Sequence, residues 1–207
     1  MKINFNHFVL TIIIVAGFSG NLFAQHEHTN DVKSQYSGQQ DREIASLSET
    51  EIEGLKSGAG TPFNGMAKPA ELNGYPGPRH VLDAYEAGSF DLNKDQIVQI
   101  RQLFKNMQEK AIPLGEQIIA IEKKMDNAFK IKDISSGMLR EMISKSTDLY
   151  AELRFVHLNT HLQMVDILTQ QQVQAYNRMR GYTSEDPCEN IPAGHDPEMW
   201  KRHNGCD

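Results

Sequence analysis

LNKDQIVQIRQLFKNMQEKAIPLGEQIIAIEKKMDNAFK, residues 92–130, decides the fold. Its apolar positions run Ile97, Ile100, Phe104, Met107, Ala111, Leu114, Ile118, Ile121, Met125 and Ala128. The steps alternate three and four without a break. That spacing places all ten side chains on one face of a long α-helix with a coiled-coil-like seam. Pro113 and Gly115 interrupt the composition but not the phase. A mid-helix proline removes one backbone hydrogen bond and crowds the preceding turn, at about 3 kcal/mol. The pattern therefore predicts one bent helix rather than two. A kink of this kind can be merely tolerated, or it can curve the surface to cup a partner.

The seam ends at a turn near Ile131–Ser136, where Asp133 or Ser135 can cap a second helix with Gly137 in its first turn. That helix runs to about Leu168, with Leu139, Met142, Ile143, Leu149, Leu153, Val156, Met164 and Ile167 as its apolar set. Two long helices joined by a short turn pack antiparallel. No alternating strand pattern appears. The expected fold is all-α: a long bent antiparallel helical hairpin with short flanking helices.

Upstream, Ser48 and Glu51 form a capping box for a helix over 49–57, and Gly58 stands where it should stop. From Gly58 to Pro78 the chain holds five glycines and four prolines, an irregular connector. A short helix over about 79–87 ends at Gly88. Residues 25–47 are polar and aperiodic and are expected to be mostly disordered.

The first residues bear on compartment. Lys2 precedes an apolar run from Phe8 to Phe18, followed by Ser19-Gly20-Asn21 and by Ala24 as a cleavage position. This is the layout of a secretory signal peptide over 1–24. The competing reading, an uncleaved anchor, meets a run far shorter than the roughly 20 residues that span a bilayer. No cysteine lies near the cut, which argues against a lipoprotein. With no second long apolar segment, the mature chain is expected not to enter the membrane.

Lys2 is the one basic residue lost with the signal, so the mature charge moves from −6 to −7. That argues against a nucleic-acid binder, which needs a basic patch. The charge is uneven: residues 25–91 carry 5 basic and 11 acidic groups, whereas 92–168 carry 11 and 10. Both cysteines, Cys188 and Cys206, lie in the C-terminal tail over 183–207, and in an oxidising compartment they pair. A Cys188, His195, His203, Cys206 zinc site is the alternative, with irregular spacing.

Two helix starts share one design. In Leu92-Asn93-Lys94-Asp95-Gln96 and in Leu168-Thr169-Gln170-Gln171-Gln172, Asn93 or Thr169 caps and Gln96 or Gln172 reaches back from N3. Leu92 with Ile97, and Leu168 with Val173, make hydrophobic staples. By themselves these are strong helix starts. As a pair of L-T-x-x-Q boxes bracketing a helical hairpin behind a signal peptide, they resemble the Spy/CpxP family and the related periplasmic heavy-metal sensors. The second box matches the motif and the first departs at Asn93. The stretches Ala70–Pro78 and His157–Leu162 also look like one branch of that group. The resemblance covers about 79–182.

It implies a helical cradle, commonly dimeric, working in the periplasm. Spy-like members hold unfolding envelope proteins without ATP, CpxP-like members also report stress to a membrane sensor kinase, and the sensor branch binds transition metals on helical histidines. Binding of unfolded clients is the first functional expectation here, supported by Lys105, Lys110, Lys123, Lys124, Arg140, Lys145 and Arg154 standing near Met and aliphatic positions. Any one of those charges reads equally as a solvated helix face.

The second expectation is a metal-responsive protein. His157 and His161 are four apart and project from one helix face. Folding the hairpin about 133–134 brings them opposite roughly 106–110, which offers Met107 and Glu109 as further ligands, with His80 in reach only if the short helix folds over. A Met ligand favours copper; a His/carboxylate set favours zinc, cobalt or nickel. The competing reading is two half-buried histidines in a packing stripe with Tyr150, Met164 and Leu168. His26-Glu27-His28, at the mature N-terminus, is a weak metal candidate or a solvated tail. Leu158 follows His157, so this is not the H-E-x-x-H of a metalloprotease. No nucleophile elbow, P-loop or dinucleotide fingerprint occurs, and Glu116 and Glu122 read as solvated flanks of the seam. No enzyme is expected, and no cofactor beyond a possible metal ion.

Overall fold

Helix starts and stops follow the local chemistry. In the computed structural model, which describes residues 33–183, 188, 191 and 194–206, seven α-helices form. Helix α1 spans Glu49–Ser57, and its Ser48/Glu51 capping box and left-handed Gly58 cap are both in place. Helix α2 is the single turn Lys68–Glu71, and α3 spans Pro78–Glu86 with proline in its first turn. Helix α4 spans Lys94–Lys130 and α5 spans Ser136–Ile167, capped by Ser135, whose side chain accepts from Met138 N–H. Helices α6, Gln170–Met179, and α7, Pro197–Asn204, follow. Among the described residues no strand occurs, only an isolated bridge between Ile44 and Leu47. No described helix is long and apolar enough to cross a membrane.

The expected all-α hairpin is present. Helices α4 and α5 pack along their length; α1 lies on α4, α2 on α5, and α3 against both. One helix runs through Pro113, which sits on the exposed face. Gly115 has a different task from the one its neighbour suggests. A Cβ at Gly115 would run into the Leu55 carbonyl, so this glycine is what lets α1 approach the α4 backbone.

The buried face of α4 is offset from the apolar seam. Ile100, Met107, Ala111, Ile118 and Ala128 are buried as their spacing requires, whereas Ile97, Phe104, Leu114, Ile121 and Met125 are half-buried. Gln96, Leu103, Gly115 and Glu122 complete the buried face. Glu122 is thus not a solvated flank: its carboxylate accepts from Ser146 Oγ at 2.6 Å and Ser46 Oγ at 2.9 Å. Two hydroxyl donors make that burial affordable. On α5, Ile143 is 49% exposed and lies outside the core.

The hydrophobic interior divides in two. One cluster joins Ile44, Leu47, Leu55, Met66 and Met107 to Ile118, Leu149 and Leu153. The other joins Val81, Leu82 and Phe90 to Ile100, Met164 and Tyr176 at the end where the chain enters and leaves the hairpin. For the described part, 33–47, the first cluster corrects the expectation of disorder over 25–47. Ile44 is fully buried and Leu47 nearly so, because these two apolar residues in a polar stretch dock on the hairpin beside a short 3-10 turn, Gln39–Asp41. The connector is likewise less irregular than its composition, holding a 3-10 turn at Phe63–Gly65 as well as α2. The described residues from Gly38 onward form one compact unit. Residues 33–37 lie outside this unit and carry a local turn from Ser37 N–H to Ser34 C=O. The proposed signal segment and His26-Glu27-His28 lie outside the described residues.

Candidate functional site

Between the two apolar clusters α5 presents two histidines. His157 and His161 follow Val156 and precede Met164, and they are buried at 8% and 7% exposure. They share a cavity of about 500 Å³ with Phe104 and Met107 of α4, Met66 of the connector and Leu72 beside α2. Ser57–Ala59 at the end of α1 and Gly77–His80 at the start of α3 close its sides. Cavities of this size with mostly apolar walls and a few polar groups are the usual form of a ligand site.

His161 is held in one tautomer. Its Nδ1 lies 2.6 Å from the Tyr75 carbonyl oxygen. A carbonyl only accepts, so Nδ1 carries the proton and Nε2 keeps its lone pair, as in histidines that bind metals. The same nitrogen is 3.8 Å from Glu71 Oε2. Glu71 is itself pinned. Its Oε1 accepts from Tyr176 O–H and from Tyr182 O–H at 3.1 Å, with Arg180 Nε 3.6 Å away, and its Oε2 accepts from Gly77 N–H at 3.2 Å. Burial first, and then the bond to Glu71, push the Tyr176 phenol above its ordinary range.

His157 has the opposite character. Its Nε2 is buried and has no hydrogen-bond partner. Burial, and secondarily the proximity of His161, lower its pKa to about 4, so the ring is neutral at pH 7. The connector backbone comes right up to both rings. A Cβ at Gly60, where φ is +84°, would lie 3.1 Å from His157 Nε2 and 3.2 Å from Met66 Cγ. One at Gly77 would lie 2.9 Å from His161 Cε1. Side chains at these two positions would fill the space beside the imidazoles.

Of the four proposed ligands, His157, His161 and Met107 come together and Glu109 does not. Two residues beyond Met107, Glu109 is about 200° around the helix; its side chain is 61% exposed and pairs with Lys105 at 3.7 Å. His80 stands at the rim on an exposed position of α3. Sequence spacing missed Met66, Glu71 and Tyr75, which enter from a connector with no periodicity. The only available pointer was the likeness of Ala70–Pro78 to the family pattern. Among the described residues, no three His, Cys, Asp or Glu side chains converge as a metal cage. Beside Glu71 and the rim residue His80, the cavity gathers the imidazoles of His157 and His161 and the thioethers of Met66 and Met107.

The capping boxes form a second polar site, with Gln96 buried and Gln172 half-buried. Both boxes are complete, and their glutamines also clasp one another. Gln96 Nε2 donates to Gln172 Oε1 at 2.8 Å, and Gln172 Nε2 donates to Gln96 Oε1 at 3.1 Å. Each amide spends its second N–H on the carbonyl two residues before the other box's cap: Gln96 on Ile167 and Gln172 on Asp91, both at 3.0 Å. The clasp has pseudo-twofold symmetry and leaves no amide hydrogen unused.

In the tail, Cys188 and Cys206 form a disulfide, as their compartment reading requires. Their sulfurs are therefore not zinc ligands. His203 Nδ1 bonds to the Met199 carbonyl, and the His195 ring packs edge-on against Trp200. Helix α7 docks on α6, where Gln174 Nε2 donates to the buried Asn204 Oδ1 at 2.6 Å.

The chain matches no family model, no curated protein and no solved structure.

Proposed function

We propose that this chain is an exported, non-enzymatic helical protein of the bacterial periplasm whose ligand is a transition-metal ion held at the His157/His161 cavity. The buried, unpartnered Nε2 of His157 carries this reading. An orphaned buried polar atom is destabilising by about 1–3 kcal/mol, and a bound ion is one way in which such an atom is used. Three features support it. The Tyr75 carbonyl orients His161 as a ligand, His157 is neutral at pH 7, and the buried thioether residue Met107 lines the same cavity from α4. The signal-like N-terminus supports export, and the Leu168–Gln172 box agrees with a periplasmic metal-sensor relative.

Calorimetric titration of mature protein with zinc, nickel, cobalt and copper ions tests this. His157→Ala and His161→Ala should each abolish binding with little loss of helicity. A wild-type protein that binds none of these ions would end the proposal.

A second reading, capture of unfolded envelope proteins, is favoured by a separate surface. Phe155 and Leu162 are 60% and 52% exposed, and seven residues apart they share one stripe of α5. Val98 of α4 is 68% exposed. Apolar groups set among charged helix faces suit varied partners, whether unfolded clients, a second copy of the chain or a membrane sensor protein. Aggregation suppression of a denatured client at stoichiometric ratio is the test; Phe155→Ser with Leu162→Ser should weaken protection. The two readings use different residues and are compatible.

A further inference from the structure

We infer that the cavity is built for a soft monovalent ion, copper(I) or silver(I), ligated by His157, His161 and the thioether sulfurs of Met66 and Met107. This rests on the metal reading above and narrows it to one class of ion.

The donor inventory makes the selection. Zinc, nickel and cobalt sites draw on imidazole, carboxylate or thiolate, with four or more positions filled. Here no third His, Cys, Asp or Glu converges with the two histidines among the described residues. Glu71, the carboxylate nearest His161, has its oxygens engaged by Tyr176, Tyr182 and the Gly77 N–H. Both cysteines are consumed in the disulfide. Of the donors that remain, the thioethers of Met66 and Met107 select copper(I) among first-row ions.

Placement agrees with the inventory. A Cβ on Gly60 would lie 3.1 Å from the orphaned His157 Nε2 and 3.2 Å from Met66 Cγ, so both side chains pack against the same glycine. Met107, 7% exposed, lines the same cavity from α4, and His161 offers Nε2 because Tyr75 holds Nδ1. Methionine has three rotatable bonds, so its sulfur can follow an ion while the backbone stays fixed. Phe104, Leu72 and Pro78 supply apolar wall, and Lys68, Arg79 and Gln108 stand on the same lining as polar groups. Taking charge out of water is far less severe for a single positive charge shared among neutral ligands.

The test uses the mature chain with His26→Ala and His28→Ala, so that the N-terminal histidines do not compete. Silver nitrate is titrated in chloride-free buffer, and copper(I) is titrated against a chromophoric chelator. One tight equivalent of each is expected. Met66→Leu and Met107→Leu should each lower silver affinity at least tenfold, the pair at least a hundredfold, while metal-free helicity and Tm stay unchanged. Zinc binding, if any, should be indifferent to both. Binding of zinc, nickel or cobalt through His157 with no silver or copper(I) bound would overturn the soft-ion inference and leave the metal reading standing. No binding of any ion would overturn both. Silver binding that survives Met66→Leu, Met107→Leu and His157→Ala would place the ion elsewhere and also overturn it.

Discussion

Two polar sites on the same hairpin, each with a buried member, end in opposite states. At Gln96/Gln172 both hydrogens of each amide are donated and each oxygen accepts, within one closed set of bonds. At His157/His161 one ring is held by a backbone carbonyl and the other has a buried nitrogen facing no partner. Buried polar groups are paired as a rule, and an exception calls for an explanation. The clasp therefore reads as architecture: it ties the entry of α4 to the entry of α6 and fixes how the hairpin closes. The orphan reads as a site, because its cost is borne by the rest of the fold with no structural return.

Acid gives the largest expected effect on this contrast. The pKa of His157 falls from an ordinary 6.5 to about 4 in the folded chain. Between these values the unfolded chain holds a proton that the folded chain refuses. Stability is therefore full above pH 6.5 and is lost as pH falls toward 4, by on the order of 3 kcal/mol from this ring. Urea unfolding at pH 7 and pH 4.5, with His157→Leu as the control for all other groups, measures it. An equal pH slope in the variant would show that the ring is not held neutral.

Gln96→Leu comes next. It strands the Gln172 amide and the Ile167 carbonyl, and should destabilise by about 2 kcal/mol without altering metal affinity. Smaller again is the coupling in a Gln96→Leu, Gln172→Leu double-mutant cycle, about 1 kcal/mol, since the second loss removes a partner already stranded. Additive losses would mean that the two boxes cap independently. The smallest effect is His157→Leu at pH 7. Replacing an unsatisfied polar group with an apolar one of similar size should leave stability within about 1 kcal/mol of the parent. A loss larger than the Gln96→Leu loss would reverse the contrast between the two sites.

Much of the fold was legible in the chain. The three-four spacing from Ile97 to Ala128 located α4, and the two boxes fixed where α4 and α6 begin. The register that sets Met107 across from His157 and His161 followed from the turn near 133–134. Glu109 failed because proximity in number is not proximity in angle: two residues along a helix face nearly opposite ways. The burial of Glu122 and the cross-box bonds of Gln96 were not legible because an apolar count cannot see a polar residue whose partners lie 24 or 76 positions away. Ile44 and Leu47 were lost in a polar stretch, since two apolar residues make no period.

The two long helices, the starts of α4 and α6 and the antiparallel pairing belong to the sequence alone, because capping and amphipathic periodicity act over a few residues and are written locally, whereas α2 and α7 lie in stretches with no such period. The cavity belongs to the tertiary structure. It exists because the connector brings Gly60, Met66, Glu71 and Tyr75 against rings on α5. Whether a buried nitrogen has a partner is decided by atoms that the chain brings from more than 80 residues away in one case, His161 with Tyr75, and fails to bring in the other, His157.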